Sequence, residues 1–241
     1  MTPKISIITV TYNARATLEA TLKSVFDQPF TDYEYILIDG KSTDGTLELI
    51  QQYADRFSYW VSEPDKGIYE AMNKGIDHAR GEWLYFLGAD DQLLPGVLAE
   101  VAPALAESPD VLYGDVKFTD HSYYHSKFSW KTALNNTVHH QGTFYKQTLF
   151  RQFRYDTALK IMSDYELNLM IYRNPQFVRK RFEQAVALCA PNGASADPTL
   201  SLKELNQLRS RHFPVGIRHL LAGLTTVKYF LHYDLLRKIQ R

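Results

Sequence analysis

Two adjacent carboxylates, Asp90 and Asp91, follow closely after an apolar run, Trp-Leu-Tyr-Phe-Leu, at residues 83–87. A short continuous apolar run predicts a strand that is buried on both faces. Such a strand carries the residues after it to the carboxyl edge of a sheet, where open α/β folds bind ligands. Carboxylate oxygens suit Mg²⁺ or Mn²⁺, which one or two carboxylates hold together with substrate phosphates. The alternative is that these acids cap the helix expected after Pro95, since Asp is a good N-cap.

Acids also end two other predicted strands, and the three strand ends should open on one crevice. The runs at 33–38 and 57–62 are followed by Asp39 and, after a short turn, by Asp65. Strands that alternate with helical patterns of about ten to fifteen residues predict a mostly parallel sheet with right-handed crossovers. No glycine-rich turn follows the first predicted strand, residues 4–11, which argues against an NAD or FAD site.

Composition excludes several classes of protein. The chain has 241 residues, of which 45% are hydrophobic and 22% charged, as is typical of a globular protein. Its 27 basic residues balance 27 acidic ones, so charge gives no reason to expect nucleic acid as a partner. The single cysteine, Cys189, excludes an internal disulfide and suits a reducing compartment. We see no signal peptide and no apolar run of about 18 residues, so we expect a cytoplasmic protein.

The second half of the chain is less regular. Residues 121–137 predict an irregular connection, and residues 139–145 a strand or its edge. Ser163 or Asp164 can cap a following helix, whose apolar residues recur at helical spacing.

Five segments, taken together and in order, resemble the motifs of family 2 glycosyltransferases of the GT-A fold. They are residues 5–13 (ISIITVTYN), 36–46 (ILIDGKSTDGT), 65–75 (DKGIYEAMNKG), 86–91 (FLGADD) and 163–166 (SDYE). The resemblance covers about residues 4–175. It implies an α/β fold in which residues 1–195 form a GT-A domain with a Rossmann-like, mostly parallel mixed sheet flanked by helices. Residues 196–241 would be a C-terminal amphipathic helical extension.

The resemblance also implies a role for each matching residue. Asp164 is expected to be the general base, because a carboxylate within reach of an acceptor hydroxyl can remove its proton. The expected metal, Mn²⁺ or Mg²⁺, would be bound by Asp90, with Asp91 as second choice and His140 from later in the domain. The residues expected to bind the nucleotide-sugar donor are Thr11, Asn13, Asp39, Asp65, Lys66 and Asp90.

Each of these residues also has a structural interpretation. Asp164 and Asp91 can serve as helix caps, and Asp39 can form a turn with the residues after it. Lys66 lies in an expected loop, where lysines are mostly solvated. His140 can satisfy a hydrogen bond in the core instead of binding a metal or an acceptor.

Two glycines depart from the family pattern. Gly40 stands where the family has a second acid after strand two, and Gly88 stands where the DxD motif has its first acid. Donor affinity or nucleotide choice is therefore expected to differ from the family norm.

The expected function is an inverting, metal-dependent transfer of a sugar from a nucleoside diphosphate donor, UDP by preference, in polysaccharide biosynthesis. The acceptor would be a hydroxyl of a glycan or lipid-linked glycan. The two glycines motivate an alternative, a non-catalytic module that binds nucleotide sugars.

The end of the chain carries a further hypothesis. From Arg209 onward seven basic residues stand against one acid, among apolar residues at helical spacing. A basic amphipathic helix over 215–241 suits the surface of an anionic membrane, which would place the protein at the inner membrane face. Packing on the domain and formation of a homodimer are the alternatives.

Overall fold

A computed structural model describes residues 3–190 and 198–225. In this part of the chain nine strands form one sheet: β1 (Ile5–Thr11), β2 (Tyr33–Asp39), β3 (Tyr59–Ser62), β4 (Trp83–Gly88), β5 (Gln92–Leu93), β6 (Val111–Phe118), β7 (Tyr123–Tyr124), β8 (Thr143–Lys146) and β9 (Arg179–Cys189). The helices are α1 (Leu18–Phe26), α2 (Thr46–Gln52), α3 (Ile68–His78), α4 (Val97–Ala106), α5 (Ser163–Arg173) and α6 (Pro198–His212). Residues 215–225 are also helical.

The sheet runs in the order β3-β2-β1-β4-β8-β6-β9-β5, and β7 pairs with β6. Strands β1 to β4 are mutually parallel, whereas β8 is antiparallel to both β4 and β6. The chain leaves β1 toward β2 and β3 and then returns to place β4 on the other side of β1. This is the topological switch point at which open α/β sheets bind ligands. The expected α/β fold, a mixed sheet flanked by helices, is confirmed.

Both faces of the sheet are buried, which explains the unbroken apolar runs. In β1, Ile7 belongs to the core formed with α1, α2 and α4, and Ile8 to the core formed with α3, α5 and α6. Successive side chains of a strand point to opposite faces, so a strand covered on both sides is predominantly apolar. Helix α6 contributes Leu205 and Leu208 to the second core, so this part of the extension packs on the sheet domain.

Some local expectations differ from the structure. Residues 140–142 form a 3-10 turn, and the strand expected at 139–145 begins only at Thr143. Residues 226–241, which hold most of the predicted amphipathic tail, lie outside the described residues. Within the described ranges no helix is both long enough and apolar enough to cross a membrane.

The close packing of α3 on β1 can be tested at Gly75. A Cβ added there would lie 2.4 Å from Cγ2 of Ile8, so Gly75→Ala must displace β1 or α3. We expect the free energy of unfolding to fall by about 1–3 kcal/mol, as for overpacked cores, when measured by urea denaturation. The control is Gly223→Ala, because Gly223 is helical and nothing lies within 4 Å of its added Cβ. The control should gain up to about 1 kcal/mol from helix propensity; equal losses in both variants would contradict the packing argument.

Candidate active site

The carboxyl ends of the parallel strands bring the predicted donor-binding residues to one edge. Thr11 of β1 is in register with Asp39 of β2, and Val10 with Gly88 of β4. The loops that follow β1, β2 and β4 therefore start at the same level. This edge forms the base of the candidate site.

Asp39 lies at this edge with its carboxylate engaged by protein donors. Its side chain is buried and accepts hydrogen bonds from the Ser42 backbone N–H at 3.0 Å and the Ser42 hydroxyl at 2.5 Å. The Ser62 hydroxyl at the end of β3 donates to it at 2.5 Å. These contacts are those of the turn-forming role, and they join the ends of β2 and β3.

Asn13 fastens the loop after β1 to the loop after β2. Its backbone N–H donates to the Ser42 hydroxyl at 2.8 Å, and its side-chain oxygen accepts from the Thr43 N–H at 2.9 Å. Its φ of 50° lies in the left-handed region, which Asn tolerates better than most residues. Thr11, just before this loop, is buried at 5% exposure. Both residues thus lie where the sequence predicted, beside the second strand.

Asp65 and Lys66 lie in the loop before α3, and this loop reaches the end of β2. Oδ1 of Asp65 accepts from the Gly67 N–H at 2.8 Å. Its other oxygen occupies the space beside Gly40, 2.7 Å from where a Cβ of residue 40 would stand. The Lys66 side chain is exposed, and its backbone carbonyl accepts from Nζ of Lys160 at 3.1 Å. The ammonium group of Lys160 thus reaches the loop that borders the end of β2.

Asp90 and Asp91 occupy different environments although they are neighbours. Asp90 is exposed, whereas Asp91 is 4% exposed and accepts from Nε2 of Gln141 at 2.8 Å. A Cβ at Gly88 would lie 2.5 Å from Oδ2 of Asp91 and 3.1 Å from Oδ1 of Asp90. The carboxylate of Asp91 therefore fills the space next to the position where the family has its first acid. Asp91 does not cap α4, whose N-cap is Gly96.

Burial raises the pKa of Asp91, and the nearby charge of Asp90 adds to this effect. Hydrogen bonds from Cys189 and Gln141 oppose the rise without cancelling it. Two carboxylates in this arrangement repel each other, so a bound cation would favour the ionised form of both. The thiol of Cys189 itself has a raised pKa because it is buried beside Asp91.

Asp164 receives contacts from three segments that are distant in the chain. The Tyr69 hydroxyl of α3 donates to Oδ1 at 3.1 Å, and Nδ2 of Asn136 donates to Oδ2 at 3.0 Å. Nδ1 of His140 lies 3.5 Å from Oδ2. Asp164 does not cap α5: its side chain points into this cluster, and the N-cap position is Met162. The predicted capping role of Ser163 or Asp164 is therefore wrong.

The pKa of Asp164 lies below its usual value as the net result of opposing effects. Burial raises it, but the hydrogen bond and charge of His140, with hydrogen bonds from the Tyr165 N–H and the Tyr69 hydroxyl, outweigh burial. Asp164 is therefore ionised at neutral pH. The neighbouring His139 behaves differently, because burial and the charge of His140 lower its pKa to about 4.

The 3-10 turn at residues 140–142 joins the two acidic groups. His140 contacts Asp164, and the next residue, Gln141, holds Asp91. The Tyr85 hydroxyl of β4 donates to the Gln141 carbonyl at 2.7 Å and so anchors the turn to the central sheet. Within the described ranges no three histidine, cysteine or carboxylate side chains lie close enough together to hold a metal ion by themselves.

Three residues near the site were not assigned in advance: Tyr69, Asn136 and Lys160. Tyr69 lies in the segment at 65–75 that resembles the family's donor-contacting helix, so a signal for it was present. Asn136 belongs to the connection that was predicted only as irregular. Its contact with Asp164 spans 28 residues of sequence, which local patterns do not reveal.

The contact between His140 and Asp164 can be tested by titration. His140→Phe keeps a ring but removes both nitrogens, so burial of Asp164 is no longer offset by the imidazole. We expect the pKa of Asp164 to rise, as measured by carboxyl carbon NMR. The pKa of Asp156, which is lowered first by the Ala158 N–H, serves as the internal control and should stay constant. An unchanged pKa of Asp164 would show that His140 does not hold this carboxylate ionised.

Known proteins resemble this chain in sequence and in fold. A PGL/p-HBAD biosynthesis glycosyltransferase of Mycobacterium tuberculosis is 35% identical over 199 residues, which are 77% of this chain and 76% of that protein. The crystal structure of S. aureus TarS 1-349 in complex with UDP-GlcNAc has a TM-score of 0.73 at 18% identity, covering 94% of this chain and 72% of that one.

A third protein, the mannosyltransferase PcManGT from Pyrobaculum calidifontis in complex with GDP-Man and Mn²⁺, has a TM-score of 0.65 at 18% identity. The match covers 93% of this chain and 70% of the PcManGT chain. At these identities the structural likeness shows the fold, which is the GT-A type expected from the sequence. The sequence model described as glycosyl transferase family 2 matches residues 6–173, and with the 35% identity above it shows that this chain belongs to that family.

Proposed function

We propose that this glycosyltransferase inverts the anomeric centre and moves a sugar from a nucleoside diphosphate donor, with UDP as the nucleotide. The acceptor is a hydroxyl of a glycan or lipid-linked glycan in polysaccharide biosynthesis. The observation that carries the proposal is an ionised carboxylate, Asp164, held through one turn at a fixed place relative to the acid pair Asp90 and Asp91. In-line transfer requires a base on the acceptor side and, on the opposite side, a site for the leaving diphosphate, which a cation bound by the acid pair would provide.

The donor would bind across the ends of β1 and β2 and the loop before α3. Thr11 and Asn13 would meet the base, and Asp39 would order the loops around it through Ser42 and Ser62. Tyr12, 66% exposed and beside Gly40, offers a face for the base to stack on. The UDP-GlcNAc complex of TarS supports UDP, whereas PcManGT carries GDP-Man on the same fold.

The diphosphate would lie between the loop lysines and the acid pair. Nζ of Lys160 donates to the Lys66 carbonyl and lies beside Gly67. The Asp65 carboxylate lies beside Gly40. The oxygen ligands of Asp90 and Asp91 fit Mn²⁺ or Mg²⁺, which commonly takes its other ligands from substrate phosphates and water. When bound, such an ion would neutralise the leaving diphosphate. The Mn²⁺ in the PcManGT complex supports this choice of metal.

Asp164 would remove the proton of the acceptor hydroxyl. Its lowered pKa keeps it ionised, and contacts from Tyr69, Asn136 and His140 orient its carboxylate. His140 is then a contact of the base. A direct attack assisted by one base gives inversion, since no enzyme nucleophile is needed.

The alternative of a non-catalytic binding module began from Gly40 and Gly88. In both cases a carboxylate from elsewhere, Asp65 or Asp91, lies within 3 Å of the missing side chain's Cβ position. The acidic character of the edge is therefore retained by other residues, which favours the enzyme over the module.

Attachment to an anionic membrane surface is a second part of the proposal. In the helix at 215–225 the side chains of Val215, Ile217, Leu220 and Leu224 are 46–63% exposed, and Arg218 lies among them. An apolar stripe with basic neighbours has the chemistry of an interfacial helix. A membrane-bound acceptor would place the enzyme at the inner face.

The role of Asp164 is tested by Asp164→Asn, which keeps the shape but cannot accept the proton. We expect transfer to fall by about 10²- to 10⁴-fold while donor affinity with Mn²⁺, measured by titration calorimetry, stays unchanged. Asp77→Asn, at an exposed ion pair with Arg154, should retain full transfer. Equal transfer by Asp164→Asn and wild type would remove Asp164 from the mechanism. Tight donor binding without turnover on any acceptor would instead support the binding module.

Membrane attachment is tested by flotation with vesicles that contain phosphatidylglycerol or only phosphatidylcholine. The full chain should float with the anionic vesicles, and the double variant Leu220→Glu/Leu224→Glu should lose most of this binding. Val178→Glu is the matched control, since Val178 is 59% exposed but lies outside this helix. If wild type and double variant float equally, the helix at 215–225 is not the membrane contact.

A further inference from the structure

The first turn of α5 has an unusual source of hydrogen-bond acceptors. The first N–H groups of a helix have no partner within the helix and are commonly met by a nearby side chain. Here the N-cap residue Met162 provides none, Ser163 Oγ instead accepts from the Asp156 N–H at 2.7 Å, and Asp164 faces the active-site cluster. The N–H of Ser163, the first residue of the helix, donates to the Tyr69 hydroxyl at 3.0 Å. The backbone just before the proposed base therefore depends on residues from elsewhere.

Glu204 of α6 supplies the acceptors for the three N–H groups just before the helix. Its Oε1 accepts from the Lys160 N–H at 2.7 Å, and its Oε2 accepts from the N–H groups of Ile161 and Met162 at 3.0 and 3.1 Å. Glu204 is 4% exposed, so the carboxylate is held out of water by these contacts. Hydrogen bonds to an ionised acceptor are stronger than neutral ones, and a negative charge is favourable at a helix N-terminus.

Helix α6 also reaches the segment on the other side of Asp164. Nη2 of Arg209, a residue only 1% exposed, donates to the Leu134 carbonyl at 2.8 Å. Leu134 lies two residues before Asn136, which donates to Asp164. One helix thus contacts both the backbone that bears the carboxylate and the segment that orients it.

We infer that Glu204 is a positioning residue for Asp164 and that α6 is a working part of the active site. Glu204 lies outside residues 6–173, to which the family match extends. The inference rests on the proposed role of Asp164 as base. A displacement of a reacting group by about 1 Å can reduce the rate by about 100-fold without touching substrate binding. Loss of Glu204 frees three backbone N–H groups two to four residues before the base, which permits a displacement of this kind.

The experiment compares Glu204→Ala, Glu204→Gln and wild type in steady-state transfer at a temperature below the unfolding midpoint of each variant. We expect kcat to fall by about 10- to 100-fold in Glu204→Ala. The donor KM should rise by much less, because of the proposed donor contacts only Lys160 is held by Glu204. Glu204→Gln keeps one acceptor oxygen and should retain more activity than Glu204→Ala. Hydrogen exchange at the amides of 160–162 should be faster in Glu204→Gln than in wild type, and fastest in Glu204→Ala.

Glu34→Ala is the matched control. Glu34 is also a buried carboxylate that accepts from backbone N–H groups, those of Arg80 and Gly81, at the start of β2 and away from the strand ends. It should lose stability but keep kcat. If Glu204→Ala keeps kcat, or if its KM rises as much as kcat falls, the positioning role is overturned. If wild type shows no transfer or Asp164→Asn is as active as wild type, the proposed function fails, while unchanged exchange at 160–162 would still overturn the contact itself.

Discussion

The site depends on keeping one nearly buried carboxylate charged. Burial opposes the ionised form of Asp164, so its charge must be offset by donors and by positive charge. Apart from the N–H of the adjacent Tyr165, these come from α3, from the connection before β8 and from the turn at 140–142, all distant from Asp164 in sequence. The fold must therefore be assembled before the carboxylate has its low pKa. Because this pKa is below the unfolded value, the group contributes stability above that value, and the contribution is lost as the pH falls through the folded pKa.

In the acid pair at the end of β4 the pKa of Asp91 is shifted in the opposite direction. Burial raises the pKa of Asp91, so this group reduces stability at neutral pH in the absence of a counter-charge. Selection for stability alone would not favour this arrangement. Binding of the proposed cation would offset the cost of burying the ionised carboxylate. The same reasoning explains why Gly88 carries no side chain. Any Cβ there would collide with the carboxylate of Asp91, so the position of one acid excludes another.

Much of the fold and part of the site could be predicted from the sequence. The apolar runs of β1, β2 and β4 mark strands buried on both faces, and parallel pairing then brings Asp39 and Asp90 to one edge. The sequence did not reveal that Asp39 is occupied by Ser42 and Ser62, because the second serine belongs to another strand. It also suggested that a residue of α5 caps its own helix. Instead the Ser163 N–H donates to the Tyr69 hydroxyl, and the N–H groups just before the helix donate to Glu204, about 40 residues later. No local pattern marks such pairings.

Distance between the two acidic groups is controlled by a short, anchored element. The turn at 140–142 contacts Asp164 through His140 and Asp91 through Gln141, and Tyr85 of the central strand β4 holds its carbonyl. Adjacent residues of a tight turn cannot separate, so this turn limits the distance between Asp164 and the acid pair. A strand at this position, as the sequence suggested, would have pointed His140 and Gln141 to opposite faces of the sheet. In the 3-10 turn two consecutive side chains face the same cleft. One peptide unit therefore connects the contact to Asp164, the proposed base, with the contact to Asp91 of the proposed metal site.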